Sequence, residues 1–349
     1  AFNTLSAFSG SDFLSPEAEL AFAKSAYKTG HYTEVLASCK RVIENGPNED
    51  ALTLLAKTCI ANAEPDEAIR YYNEVVNEFP NGESGWGDLA GLYLSLNRVI
   101  EAEELVRRGL DFHPESAEIN AILGKLLNAS GKYEEAIPYL FTAIHLCNSS
   151  ETSLELGKAL LQVNRLEDAR MVLEAARTLN PENHQLTFVY AQVFKNQDTD
   201  KALTILEEII HNSDVQTAWI NLYAELVLEQ LCGQSLAERK SALKRIGTVE
   251  TLLIHAVQNE PDNYNSQLFL AEVLRATGET EKAYLIYQKL RTLYDSTIDA
   301  DHSHRALVGL GEMAVEMQDS QTAIDVLNQA VIFDPNNVAV FRALAKAQA

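Results

Sequence analysis

The stretch ILGKLLNASGKYEEAIPYLFTAI, Ile122 to Ile144, predicts two helices that are separated by a short turn. On both sides of the turn, apolar or small residues recur three and four positions apart, as expected of helices that bury one face. Gly131 lies where the first helix should end, because glycine adopts the left-handed conformation of a helix end at no steric cost. Two helices of this length cannot bury a core alone, so the stretch needs partners elsewhere in the chain.

The same pattern returns along most of the chain at a spacing of 33 or 34 residues, with two longer intervals. Alignment on the alanine of YEEAI recovers nine positions, which are Val35, Ala68, Ala102, Ala136, Ala169, Ala202, Val249, Ala283 and Ala323. Their successive spacings are 33, 34, 34, 33, 33, 47, 34 and 40 residues. A period that is kept over so much of the chain indicates a repeat array.

Other positions of the repeat match a known pattern. The third unit supplies Trp86, Leu89, Ala90, Tyr93, Ala102 and Pro114. The fourth unit supplies Leu123, Gly124, Gly131, Tyr133, Ala136 and Ala143. In these residues the chain resembles the tetratricopeptide repeat family over Pro16 to Pro335. The resemblance implies an all-α fold, a right-handed α-solenoid superhelix of about nine helix-turn-helix repeats, in which the first helices line a concave groove.

The repeat divides the chain into three parts. We expect an N-terminal extension at 1–15, nine repeats over 16–336, and a capping or truncated tenth-repeat helix at 337–349. The seventh unit carries extra residues at about 231–247, which should lengthen its helices, and a shorter excess lies near 295–304.

The last segment of the chain predicts one more amphipathic helix. Val338, Phe341, Leu344 and Ala345 fall on one stripe at helical spacing, which is typical of the first helix of a tenth unit or of a capping helix.

The charge balance limits the classes of partner. The chain has 50 acidic and 28 basic residues and a net charge of −22, which should repel nucleic acid and anionic membranes. Its apolar runs fall short of the roughly 20 residues that span a bilayer, so no membrane insertion is expected. The partner class that remains is a protein or peptide.

The four cysteines form no CxxC pair, and this favours a reducing compartment and a cytoplasmic location. The sequence begins with alanine rather than methionine, so a removed signal peptide, and with it a periplasmic or secreted location, stays open.

We find no catalytic or cofactor motif. The chain has no glycine-rich phosphate loop, no G-x-S-x-G and no H-E-x-x-H, and we expect neither enzyme activity nor a cofactor. Asp301, His302 and His304 come closest to a metal cluster. Without a second cluster, we interpret these three residues as part of a solvated loop rather than a metal site.

The ninth position of each unit should project from the first helix into the groove. This position is lysine in four of the first five units, at Lys24, Lys57, Lys125 and Lys158. We hypothesise that this lysine ladder binds an acidic, extended segment of a partner, together with Asn128, which the repeat does not require. The alternative is that the lysines pair with nearby glutamates such as Glu118, Glu151 and Glu155.

The insertion in the seventh unit holds the densest basic cluster of the chain. With a period of four, Arg239, Lys240, Lys244 and Arg245 should share one helix face. We hypothesise that this face docks an acidic partner surface; the alternative is a solvated helix face.

These observations favour a non-enzymatic protein-interaction scaffold that binds an extended or helical segment in its groove. Two alternatives remain open: the chain is a targeting or regulatory region of a larger enzyme or multi-subunit complex, or it is a structural subunit that self-associates through its terminal helices.

Overall fold

The computed structural model describes residues 15–212, 214–233, 236–292 and 300–348. Within these ranges the regular secondary structure consists of nineteen α-helices, with no strand. The all-α fold predicted from the sequence is confirmed. Most of the predicted N-terminal extension, and the part of the predicted excess near Asp295, lie outside the described residues.

The chain forms two compact units, residues 1–182 and 183–349. The ten helices of the first unit are α1 (Pro16–Lys28), α2 (Tyr32–Ile43), α3 (Glu49–Ala61), α4 (Pro65–Glu78), α5 (Glu83–Ser95), α6 (Val99–Phe112), α7 (Ala117–Ala129), α8 (Tyr133–Leu146), α9 (Ser150–Gln162) and α10 (Leu166–Leu179). The nine helices described in the second unit are α11 (His184–Phe194), α12 (Thr199–Glu207), α13 (Thr217–Cys232), α14 (Leu236–Asn259), α15 (Tyr264–Thr277), α16 (Thr280–Thr292), α17 (Ala300–Glu316), α18 (Ser320–Phe333) and α19 (Val338–Gln348).

Short polar side chains define where many helices begin. At seven helix starts the side-chain oxygen of the N-cap residue accepts a hydrogen bond from a backbone N–H of the first turn, which the helix leaves without a partner. These residues are Ser15, Asn48, Ser116, Asn183, Asp198, Asn263 and Asp319.

Consecutive helices pack as hairpins, and each hairpin packs on the next within its unit. All nine residues of the sequence alignment lie on the second helices and have no solvent exposure: Val35, Ala68, Ala102, Ala136, Ala169, Ala202, Val249, Ala283 and Ala323. The register read from the sequence is therefore confirmed. Within each unit, neighbouring hairpins share a core, since each buries its apolar faces against the next.

The insertion lengthens the hairpin that contains it. Helix α13 has 16 residues and α14 has 24, whereas the helices of the first unit have 12 to 14. Gly233 follows the end of α13. The two helices around the insertion are therefore longer than those of the first unit, whereas the bounds of the insertion at about 231–247 stay a prediction.

The last segment forms a helix, and its apolar stripe is buried only in part. Leu344 is buried, but Val338 is 62% exposed, Phe341 is 49% exposed and Ala345 is also exposed. The residues that α19 buries are Val340, Ala343, Leu344 and Ala347. The helix contacts both α17 and α18, so the face between these two neighbours is the one that is covered.

The division of the chain at 1–15, 16–336 and 337–349 stays a prediction. Among the described helices, none combines the length and the apolar character needed to cross a bilayer.

Candidate functional site

Each unit has a depression on the side formed by its first helices. We call the surface formed by the first helices of the hairpins the first-helix face; it consists of α1, α3, α5, α7 and α9 in the first unit and of α11, α13, α15 and α17 in the second. In the first unit a depression of about 470 Å³ lies between α7 and α9. Three of the residues predicted from the sequence line it, namely Lys125, Asn128 and Lys158.

The four ladder lysines all form ion pairs with carboxylates. Three of the pairs connect one first helix to the next, and the fourth lies within α9. The pairs and their Nζ–oxygen distances are Lys24–Asp50 (2.7 Å), Lys57–Asp88 (2.9 Å), Lys125–Glu151 (2.5 Å) and Lys158–Glu155 (2.8 Å). Each lysine side chain is 34–51% exposed, so each pair stabilises the fold by about 0–1 kcal/mol. The geometry agrees with the pairing alternative, with Asp50 and Asp88 as two partners that the sequence did not single out.

Asn128 joins the two helices of the depression. Its Nδ2 donates to the main-chain oxygen of Glu155 (2.9 Å) and to Glu155 Oε2 (3.1 Å). The residue is 9% exposed, and its Oδ1 has no hydrogen-bond partner within the described residues. Asn128 therefore positions α9 against α7 and keeps one acceptor that is not used in the fold.

The first-helix face of the first unit also carries a group of carboxylates around Glu118, whose negative charge Lys57 offsets only in part. Burial, followed by the charges of Asp88 and Glu83, raises the pKa of the Glu118 carboxyl. The Glu118 side chain lies against Gly87 of the preceding first helix, where a Cβ would be 2.4 Å from Oε1. Ionised Glu118 therefore repels its neighbours, and a cation brought by a partner would relieve this repulsion.

In the second unit the same face has a larger depression that the sequence analysis missed. It has a volume of about 850 Å³ and is lined by first helices and their N-terminal turns, with the amides Gln192, Asn221, Asn263 and Asn265 and the rings of Phe188 and Phe269. Among the lining residues the one lysine or arginine is Lys195, whose Nζ lies 2.9 Å from Glu225 Oε2. The only signal in the sequence is a run of asparagines around Asn259, Asn263 and Asn265, and this alone does not distinguish a binding surface from helix caps.

At the C-terminal end of this face the ladder pairing recurs with the charges exchanged. The ninth position is Glu272 in α15 and Glu312 in α17. Arg305 of α17 donates to both oxygens of Glu272, and Arg275 of α15 donates to Glu312 at 2.5 Å. These two ion pairs connect α15 to α17. The ninth position thus links adjacent first helices whether it is a lysine, as in the first unit, or a glutamate, as here.

The basic cluster of the insertion does not occupy one face. Arg239, Lys240 and Lys244 are exposed, but Arg245 is 17% exposed and its Nε donates to Glu207 at 2.6 Å. The prediction that all four share a face is wrong, because each residue advances about 100° around a helix and Arg245 is thereby turned toward α12.

The interpretation of residues 301–304 as a loop is also wrong. They lie in the first turns of α17, where the His302 ring packs edge-on to Phe269 (5.7 Å) and His304 Nε2 lies 3.1 Å from Asn337 Nδ2. The two histidines thus have different partners. In the described ranges no group of three histidine, cysteine or acidic residues is arranged to hold a metal ion.

Comparison with known proteins places this architecture among repeat proteins. Two family models described as Tetratricopeptide repeat match residues 60–126 and 154–216. A curated relative, the TPR repeat-containing protein YpiA of Bacillus subtilis, is 28% identical over 222 residues. That match covers 61% of this chain and 50% of YpiA, so the chain spans about half the length of this relative.

Two solved structures share the fold at low sequence identity. The C-terminal part of a TPR repeat-containing protein from Cytophaga hutchinsonii is 16% identical with a TM-score of 0.51, covering 74% of this chain and 99% of that one. The human IFIT1 dimer with PPP-AAAA is 15% identical with a TM-score of 0.51, covering 99% of this chain and 83% of that one.

Proposed function

We propose that this chain, which belongs to the tetratricopeptide repeat family, is a non-enzymatic scaffold that binds a segment of a partner protein on its first-helix faces. Repeats of this family support protein interaction in general. The observation that carries the finer proposal is the position of the depressions of about 470 Å³ and 850 Å³, which lie on the first-helix face of each unit. Depressions of this size accommodate several side chains of an extended or helical segment.

The chemistry of the larger depression suits the main chain of a peptide. A carboxamide carries both donors and an acceptor, so it can bond to the N–H and the C=O of a peptide group. Asn221 is held in place because its Oδ1 accepts a hydrogen bond from Ser266 Oγ at 2.9 Å. Phe188 and Phe269 add apolar surface on which side chains of the segment can pack.

The smaller depression makes the acidic-segment hypothesis more specific. Lys125 and Lys158 already hold Glu151 and Glu155, so an acidic side chain of a partner has to displace one of these carboxylates. Such an exchange adds little net affinity but favours segments with carboxylates at the right spacing. We therefore propose that acidic residues of the partner contribute to selectivity in this depression.

Protein is a better match than nucleic acid for these surfaces. A net charge of −22 repels phosphates, and the ladder lysines are already paired within the fold. The nucleotide in the IFIT1 structure belongs to that protein, which shares only the fold with this chain.

A second candidate function is a targeting or regulatory region of a larger enzyme or complex. The observation that favours it is the partial coverage of YpiA, of which this chain matches 50%. Finding this sequence within a longer polypeptide that carries a catalytic domain would support the regional role over an independent scaffold.

The experiment that tests the proposal is selection of peptide segments from a display library on the wild-type chain. Selected segments are then measured on Asn128→Ala, on Asn221→Ala, and on a control, Lys40→Glu with Lys282→Glu, which changes exposed lysines of the second helices α2 and α16. We expect Asn128→Ala, Asn221→Ala or both to lose binding of the segments, and we expect the control to bind them like the wild type. Equal binding to all variants would show that the segments bind elsewhere.

A further inference from the structure

The lengthened hairpin ends in a basic surface that is separate from the first-helix depressions. We call Arg239, Lys240, Leu243 and Lys244 the basic tip; they lie near the N-terminal end of α14. Lys240 and Lys244 are one helical turn apart, and Leu243, between them in sequence, is 58% exposed. The tip thus combines three cations with one exposed apolar side chain.

The other side of the same helix holds the tip in a fixed orientation. Ala242 has no solvent exposure, and Arg245 bonds to Glu207 and lies 3.5 Å from Asp200, both in α12. Gln230 of α13 donates to the same Asp200 at 2.9 Å. The cations of the tip therefore project from a well-packed helix rather than from a loop.

The charges of the tip are not neutralised by the fold. Within the described residues, no carboxylate lies within salt-bridge distance of Arg239, Lys240 or Lys244, and Arg239 Nε donates to the main-chain oxygen of Gly233 at 2.6 Å. This contrasts with Arg245 and with the four ladder lysines, which are all paired. Among the basic residues predicted from the sequence to bind a partner, Arg239, Lys240 and Lys244 are therefore the ones whose charge is available to a partner.

We propose that the basic tip docks an acidic amphipathic helix of a partner protein. The charge of the tip is complementary to such a helix, whose carboxylates would face the three cations while an apolar residue covers Leu243. The chain as a whole has a net charge of −22 and repels the same helix. Because the tip attracts the helix while the rest of the surface repels it, the partner is oriented as it binds. This inference does not depend on the proposed binding of a segment on the first-helix faces.

The probe for the test is a labelled helical peptide of about 20 residues, made of glutamate, alanine and leucine, with the leucines on one stripe. Its binding is followed by fluorescence anisotropy at about 50 mM and 200 mM salt. The test variant is Lys240→Glu with Lys244→Glu. The control, Lys28→Glu with Lys40→Glu, makes the same change in net charge at two exposed lysines of the first unit.

We expect the tip variant to bind the probe on the order of tenfold more weakly, with a smaller dependence on salt, and the control to bind like the wild type. Leu243→Ser should weaken binding without changing its salt dependence. A peptide with lysine in place of glutamate should bind the tip variant better than the wild type. The groove variant Lys125→Glu with Lys158→Glu should still bind the probe, which distinguishes the tip from the groove.

Three outcomes would overturn the proposal. One is no binding of the probe to the wild type, and another is an equal loss in the tip variant and the control, which would indicate bulk charge alone. The third is concentration-dependent dimerisation in sedimentation that the tip variant abolishes, since the occupant would then be a second copy of the chain. Unchanged far-UV circular dichroism of the variants verifies that they fold.

Discussion

Gly124 of α7 packs directly against Leu140 of α8: a Cβ on the glycine would lie 2.4 Å from Cγ and Cδ2 of the leucine. The same contact, between residues 16 apart in sequence, recurs in two other hairpins as Gly157–Leu173 and Gly311–Leu327. A first helix without a side chain at this position lets the second helix approach closely. This pair of residues sets the spacing of the hairpin from which the repeat is built.

Gly124→Ala should therefore destabilise the protein by about 1–2 kcal/mol, since overpacking outweighs the better helix propensity of alanine. The matched control is Gly91→Ala, in the interior of α5, where a Cβ would meet nothing within 4 Å. That change should instead stabilise by about 0.5–1 kcal/mol. Midpoints of urea unfolding measure both, and a destabilising Gly91→Ala would contradict the packing argument.

Ala63→Gly should stabilise the protein by about 1 kcal/mol, because alanine at a positive φ is strained and glycine is not. Ala63 has φ of 60°, and Gly131 occupies the equivalent turn of another hairpin with φ of 73°. The control is Ala61→Gly at the last residue of α3, where the ordinary cost of glycine in a helix should lower the stability. If both changes destabilise in thermal unfolding, turn strain is not significant at Ala63.

Glu103→Gln should destabilise the protein by roughly 1 kcal/mol at neutral pH. A hydrogen bond from Arg107 lowers the pKa of this carboxyl below its ordinary value of 4.5, and a second, smaller contribution comes from Lys132. A carboxyl with a lowered folded pKa stabilises the fold fully above about pH 4.5, and this contribution is lost as the pH falls through the folded pKa. Urea midpoints of wild type and Glu103→Gln should thus converge in acid. Glu104→Gln, at the exposed neighbour, is the control and should show no such convergence.

Asn128→Asp should destabilise the protein more than Asn128→Ala at neutral pH. The aspartate would place a second carboxylate beside Glu155, whose Oε2 now accepts a hydrogen bond from Asn128 Nδ2 at 3.1 Å. Acidification should narrow the difference between the two variants, because protonation removes the repulsion. A pH-independent difference in unfolding midpoint would show that the contact with Glu155 is not electrostatic.

Two of the four cysteines should react with a thiol reagent in the native protein. Cys147 and Cys232 are exposed, whereas Cys39 and Cys59 are buried. Burial raises the pKa of the Cys39 thiol to about 12 and raises that of Cys59 above 9.0, which suppresses their thiolates at pH 8. Titration with a chromogenic disulfide should count two fast thiols in buffer and four in urea. Four fast thiols in the folded state would mean that the first unit opens readily.

Much of the fold could be predicted because the same spacing of small and apolar residues recurs in nine units. The position that aligns with Ala136 is buried in every unit, and a single weak match, such as Val249 after the insertion, is supported by its neighbours. The lengthening of α13 and α14 followed from the interval of 47 residues in an otherwise regular series. Periodicity is a local property, so it can be read without knowing which elements meet.

The candidate site was predicted less well, because it depends on contacts between residues about 26 to 33 apart in sequence. The ladder lysines lie on first helices, but the pairing of Lys24 with Asp50 and of Lys57 with Asp88 depends on the spacing of adjacent first helices, which the sequence does not give. Arg245 was assigned to the wrong face because its partners lie on a different helix. The amide-lined depression of the second unit is built from residues of five helices, none of which is distinctive alone.

By itself the sequence determined the class of fold, the repeat register and the location of the insertion, since each of these is recorded in the spacing of small and apolar residues. Only the tertiary structure decided which charges remain available. It paired the ladder lysines and Arg245 within the fold and left Lys240 and Lys244 without a described carboxylate partner. The physical reason is that burial follows local periodicity, whereas an ion pair forms only where two helices bring opposite charges within a few ångströms.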